Sequence, residues 1–156
     1  MKRISQNAAA TQTFGKQLAK KLRGGEIIAL HGDLGAGKTT LVKGLAAGLG
    51  VTQHITSPTF LLMRGYEIAN SKGQIANSRG QRAKGSIKRL IHIDCYRIKS
   101  ANEIKDIGAL EYFGRPDTVV VVEWAEKIKK ILPRQIKKIT LGLGKSIDQR
   151  IISYSP

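Results

Sequence analysis

The residues with the clearest chemical capacity are Gly32, Asp33, Leu34, Gly35, Ala36, Gly37, Lys38, Thr39 and Thr40. They match G-x-x-x-x-G-K-[ST] at every fixed position, the pattern of a phosphate-cradling P-loop. Glycines let backbone N–H groups turn inward around phosphate oxygens, and the N-terminus of a following helix adds the positive end of its dipole. In that chemistry Lys38 reaches the β- and γ-phosphates of a nucleotide, and the Thr39 hydroxyl is a ligand to Mg²⁺. With ordinary glycine usage, a chance match in a chain of this length is on the order of 1%. Gly144-Lys145-Ser146 also contains G-K-S, but Ile139 stands where the motif's first glycine belongs, so that segment is read as a turn.

A P-loop needs an acid at the end of a neighbouring strand to complete its metal site. Asp94 follows LIHI and Glu123 follows TVVVV, so each closes an apolar run. A carboxylate in that position is costly unless it meets a cation. One of the two is expected to hold the metal with Thr39, and the other to orient water or act as base. His31, His54 and His92 lack metal-ligand spacing and are read as structural, Cys95 as a small buried residue. A lone cysteine also excludes an intramolecular disulfide framework.

The elements that must position these groups follow from periodicity. Phe14, Leu18 and Leu22 predict a helix over 13–22, stopped by Gly24-Gly25. Residues 27–30 read as a buried strand entering the P-loop, and Leu41, Val42, Leu45, Ala46 and Leu49 as one face of the helix leaving it. Strands are predicted over 59–66, 89–93, 118–123, 136–143 and 150–153, and helices over 103–113 and 125–132. Alternating strands and helices predict an α/β sheet flanked by helices, mixed and partly antiparallel, in one P-loop domain spanning 1–156. Between the second and third strands lies a Gly-, Ser- and Lys/Arg-rich stretch, 68–88, with a tandem echo of IANSKGQ in IANSRGQ. It reads as a flexible, solvated basic loop.

The 156 residues carry 27 basic and 11 acidic side chains, a formal net charge of +16. Segments 1–25, 68–93 and 127–147 contain no acid at all. Such a field favours polyanionic partners, although aromatics make up only 5% and supply no evident base-stacking platform. The longest apolar runs, such as 119–122, fall far short of the ~20 residues of a membrane span, and no signal sequence is read at the N-terminus. A soluble cytoplasmic protein with no membrane partner is expected.

Four motifs in order carry a more specific resemblance: GDLGAGKTTLVKGLAAGLG (32–50), SPTF (57–60), HIDCYR (92–97) and VEWAEKI (122–128). Together they resemble the TsaE (YjeE) family of bacterial P-loop ATPases in tRNA threonylcarbamoyladenosine biosynthesis. The resemblance implies a P-loop NTPase-like fold with ATP and Mg²⁺ as cofactors. It also implies ATP hydrolysis in concert with TsaB and TsaD, which transfer a threonylcarbamoyl group to the adenosine beside the anticodon of ANN-decoding tRNAs. By the same resemblance Thr39 and Glu123 hold Mg²⁺, Asp94 is needed for activity, and Trp124 lies close to the nucleotide. Thr11, four residues before Gly15, is placed near the base, and SPTF acts as a nucleotide-responsive switch. The family's connection before H-x-D is usually short; here six basic residues stand between Lys72 and Arg89, inclusive, a candidate contact with tRNA or an acidic partner face. No arginine finger is evident; Arg97 is the candidate in this chain, unless a partner supplies one. A small-molecule kinase, or a basic nucleic-acid module with a degenerate nucleotide site, are the competing readings.

Overall fold

The computed structural model describes residues 1–69 and 87–155. Most of the basic loop expected at 68–88 therefore lies outside the described residues, but its ends are not solvated as expected: Ile68 and Ile87 are buried in the core, and the Ile68 N–H donates to the Lys88 carbonyl at 2.9 Å. Seven strands form one sheet: β1 Lys2–Ser5, β2 Ile27–His31, β3 Met63–Glu67, β4 Arg89–Asp94, β5 Thr118–Glu123, β6 Lys137–Leu143 and β7 Arg150–Tyr154. Their order is β1-β7-β6-β2-β5-β4-β3. β6, β2, β5 and β4 run parallel; β3 pairs antiparallel with β4 at one edge, and at the other β7 pairs antiparallel with β6 and β1 antiparallel with β7. This is the mixed, partly antiparallel α/β sheet expected from the sequence.

Strand alternation sorts the core into two layers. Ile28, Leu30, Leu90, Val119, Val121 and Leu141 face helices α1 (Ala8–Ala19) and α2 (Lys38–Leu49). Ile27, Ala29, Ile91, Ile93, Val120 and Val122 face the opposite layer. That layer is built from the short α3 (Asn102–Asp106) and two 3₁₀ turns, Ala109–Tyr112 and Ala125–Ile128. β2 and β5 are apolar on both faces because both faces are covered, the usual condition of parallel strands. Burial of this continuous apolar surface is the main force holding the layers together.

The helix pair crosses at glycines. A Cβ on Gly44 would stand 2.1 Å from the carbonyl oxygen of Gln12, so only hydrogen fits between α1 and α2 there.

Several element boundaries differ from those predicted. α1 begins at Ala8 because the Asn7 side chain accepts the Ala10 N–H at 2.8 Å, a cap that the Phe14–Leu18–Leu22 stripe does not reveal. The expected strand over 59–66 starts only at Met63, since 59–62 turn and Leu62 takes φ 61°. The expected helix over 103–113 is divided at Gly108, whose φ of 73° ends α3. Over 125–132 there is a single 3₁₀ turn. β1 was not expected: it is a four-residue edge strand with one buried side chain, Ser5, too short and too polar for a period-two signal. Among the described residues no helix is long and apolar enough to cross a membrane.

Candidate functional site

The site forms where three parallel strands end side by side. Asp94 of β4 is in register with Glu123 of β5, and Glu123 with Leu30 of β2. Ligands of open α/β sheets bind outside the carboxyl ends of such strands. From β2 the chain enters the loop through Gly32, whose φ of 133° and the 2.2 Å approach of a notional Cβ to the Leu141 carbonyl oxygen admit only glycine. The loop reaches α2 at Lys38.

Lys38 is 4% exposed. Its ammonium donates to the carbonyls of Gly32 at 2.6 Å and Asp33 at 2.8 Å, and stands 3.8 Å from the centre of the Trp124 ring. Burial draws its pKa below the ordinary lysine value, opposed by the charge of Glu123 and more weakly by Glu126, Asp94 and Asp33. The amine is thus folded onto its own loop, with an aromatic face as lid. Trp124 keeps that position at φ 58°; with Leu62 it is one of two non-glycine residues at positive φ among the described residues. Leu62 accepts the Asp94 N–H, so both strained positions adjoin this site.

Glu123 is the centre of the polar network. The Thr39 hydroxyl donates to it at 2.9 Å (Oε1), across 84 residues of sequence. His92, fully buried, contacts the same Oε1 through Nε2 at 2.8 Å. An ionised carboxylate accepts only, so the imidazole donates from Nε2, which leaves Nδ1 as a buried atom with no partner among the described residues. Asp94 is held separately. Its Oδ2 accepts the hydroxyls of Ser57 (2.6 Å) and Thr59 (2.7 Å), and its Oδ1 accepts the Tyr96 N–H (2.9 Å). The SPTF turn is therefore fastened to Asp94 at two points, with Phe60 82% exposed at its tip.

Of the residues singled out in the sequence, Leu34, Gly35, Gly37, Lys38, Thr39, Thr40, Asp94, Glu123 and Trp124 line one open cleft of about 360 Å³. Gly32, Asp33 and Ala36 form the loop behind it. Thr11 does not line the cleft: it is buried in α1, its hydroxyl 2.8 Å from that of Ser5. Arg97 is turned onto the Phe60 ring at 4.3 Å. Two participants escaped the sequence reading. One is His92, whose place two residues before Asp94 on one strand face was the available signal. The other is Arg150 of β7, which braces the loop by donating to the Gly35 carbonyl at 3.1 Å and to those of Ile147 and Gln149. The Gly144-Lys145-Ser146 segment is the β6–β7 turn, as expected.

The Thr39 hydroxyl and the Glu123 carboxylate are hard oxygen donors. Among the described residues no three His, Cys, Asp or Glu side chains gather into a metal-holding group. A donor set of one hydroxyl and one or two carboxylates suits a small divalent cation that takes its remaining ligands from water and phosphate.

The family model described as "Threonylcarbamoyl adenosine biosynthesis protein TsaE" matches residues 5–152. The tRNA threonylcarbamoyladenosine biosynthesis protein TsaE of Treponema pallidum is 37% identical over 142 residues, 90% of each chain. That of Bacillus subtilis is 34% identical over 149 residues, 96% of this chain and 81% of the relative. Among solved structures, Bacillus subtilis YdiB superposes with a TM-score of 0.70 at 28% identity, covering 99% of this chain and 83% of YdiB.

Proposed function

Because the chain belongs to the TsaE family of tRNA threonylcarbamoyladenosine biosynthesis, we propose that it is the ATP-hydrolysing subunit of that process. Its partners on this reading are TsaB and TsaD, and the product is threonylcarbamoyladenosine beside the anticodon of ANN-decoding tRNAs. The observation that carries the reading is the Thr39–Glu123 hydrogen bond, which joins the P-loop helix to the end of β5 where a nucleotide-bound cation belongs.

The triphosphate is held by the backbone N–H groups of residues 32–39, with the α2 N-terminus beneath it. Thr39 and Glu123 would hold Mg²⁺, which when bound would supply neutralisation of the triphosphate charge. Lys38 exchanges the Gly32 and Asp33 carbonyls for phosphate oxygens, a favourable trade of neutral acceptors for anionic ones. His92 keeps the Glu123 carboxylate turned toward Thr39. Asp94, at the adjacent strand end, orients the attacking water, and its ties to Ser57 and Thr59 make the SPTF turn sensitive to that event. Trp124 shields Lys38 from water. Arg97 and Arg150 are both engaged elsewhere, with Phe60 and with the carbonyls of residues 35, 147 and 149. Without an arginine on the developing charge, turnover stays slow until partners rearrange or complete the site.

The test is reconstitution. With threonine, bicarbonate, ATP, an enzyme that makes the activated threonylcarbamoyl donor from them, TsaB, TsaD and an ANN-decoding tRNA transcript, omission of this chain should abolish sustained formation of the modified nucleoside. Undiminished formation without it would refute the reading.

A further inference from the structure

A second concavity, about 550 Å³, lies between α1 and the β1–β7 edge. Its position is fixed by register. Leu143 pairs with Arg150 at the P-loop end of β6 and β7, while Ile139 pairs with Tyr154 toward the other end, where Met1 also bonds Tyr154. Ile139 in turn pairs with Leu30 of β2, and Leu30 with Glu123 of β5, so the groove, lined by Tyr154 and Met1, lies at the β1–β7 edge of the sheet, displaced sideways from the nucleotide cleft.

Four cations converge on it from two separate elements: Lys2 and Arg3 from β1, Lys20 and Lys21 from the end of α1. All four are exposed, and none forms an ion pair among the described residues. The first 25 residues contain no acid to offset them. Ordinary roles account for part of this arrangement. Lys20 and Lys21 suit the negative end of the α1 dipole, and charge on β1 discourages edge-to-edge pairing. Neither role explains why Arg3 is turned inward. Its Nη1 donates to Gln17 of α1 at 2.7 Å and its guanidinium lies 5.7 Å from the Phe14 ring centre, which orders it across the groove. The floor, Phe14 and Leu18, is 5% and 8% exposed, so the apolar surface of the groove is that of Met1 and Tyr154 at one end, while the four cations set its charge.

We propose that this groove binds the phosphodiester backbone of RNA. The proposal rests on the reading of the chain as a tRNA-modification subunit, and it places tRNA at the β1–β7 edge of the sheet, to the side of the nucleotide cleft. Recognition of this kind is backbone-directed and without sequence readout.

The test uses the full chain and a labelled, unmodified ANN-decoding tRNA transcript, with affinity measured between ~50 and ~200 mM salt. A groove triple variant (Lys2→Gln, Lys20→Gln, Lys21→Gln) is compared with a matched triple on the other layer (Lys105→Gln, Lys129→Gln, Lys130→Gln), all exposed lysines. The expected result is at least tenfold weaker binding for the groove variant at the lower salt. Its log–log salt slope should be shallower by roughly 2 to 3, since each lost phosphate contact removes ~0.7–0.9. The matched variant should keep both values. Arg3→Gln alone should reduce the slope by about one such step. Equal losses in the two triples would overturn the proposal in favour of a diffuse field. Unchanged RNA binding with weakened capture of the TsaB–TsaD complex would overturn it in favour of an acidic protein partner. ATP hydrolysis, measured on the same variants, should be unaffected; its absence in the unmodified chain would instead count against the ATPase reading, so the two failures are separable.

Discussion

Replacing His92 by leucine removes the Nε2–H that Glu123 accepts while keeping an apolar side chain in a fully buried position. Glu123, itself 3% exposed, would keep only the Thr39 hydroxyl among the partners described above. A hydrogen bond to a charged group contributes about 1.5–3 kcal/mol. At about 1.4 kcal/mol per decade, this corresponds to a roughly ten- to hundred-fold change in whatever depends on that carboxylate's orientation. Loss of a comparable outer partner in metal sites has effects of the same order. The expected outcome is a ten- to hundred-fold rise in the Mg²⁺ concentration that half-saturates ATP-dependent phosphate release. His92→Gln, whose amide nitrogen can occupy the Nε2 position, should recover a large part of that loss. A structural role alone would lower the melting temperature and leave the Mg²⁺ dependence in place. A His92→Leu protein that is folded and has unaltered Mg²⁺ half-saturation would therefore refute the reasoning.

Lys38→Ala should weaken ATP binding at least tenfold by calorimetry, because the one ammonium facing the cleft from the loop is lost while the fold around it is kept. Gly44→Ala forces a methyl against the Gln12 carbonyl, 2.1 Å away in the present packing. It should destabilise by about 3 kcal/mol and lower the melting temperature by roughly 6–12 °C. Burial, and after it the charge of Asp94, push the Cys95 thiol from 9.0 up to about 12. The folded protein should thus resist alkylation at pH 8 and react only when denatured. Since the folded thiol keeps its proton where the unfolded one releases it, its stabilising contribution is complete below pH 9 and is lost as pH climbs toward 12, visible as a falling melting temperature above pH 9.

The parts of the molecule legible in the sequence are those encoded locally. The P-loop, the strand entering it and the helix leaving it are contiguous, and an unbroken apolar run made β5 readable on its own. Glu123 and Asp94 stood out because a carboxylate closing such a run needs a reason, and the structure places both at the cleft. Features that depend on register or distant packing were not legible. His92 meets Glu123 only because β4 and β5 pair with Asp94 opposite Glu123. Arg150 reaches the P-loop only because β7 folds back along β6. Thr59 reads as the start of a strand by residue type, yet its hydroxyl is drawn to Asp94 and the chain turns until Met63. Gly108 broke a helix whose apolar spacing ran through it, since its backbone takes the left-handed region.

The most direct measurement is phosphate release from ATP by the purified chain with Mg²⁺, alone and with TsaB, TsaD and tRNA, with Glu123→Gln in parallel. The account predicts slow release alone, a marked rise with the partners, and loss of both in the Glu123→Gln protein. Release that is undiminished in Glu123→Gln, or no release by the unmodified chain even with all partners present, would contradict it.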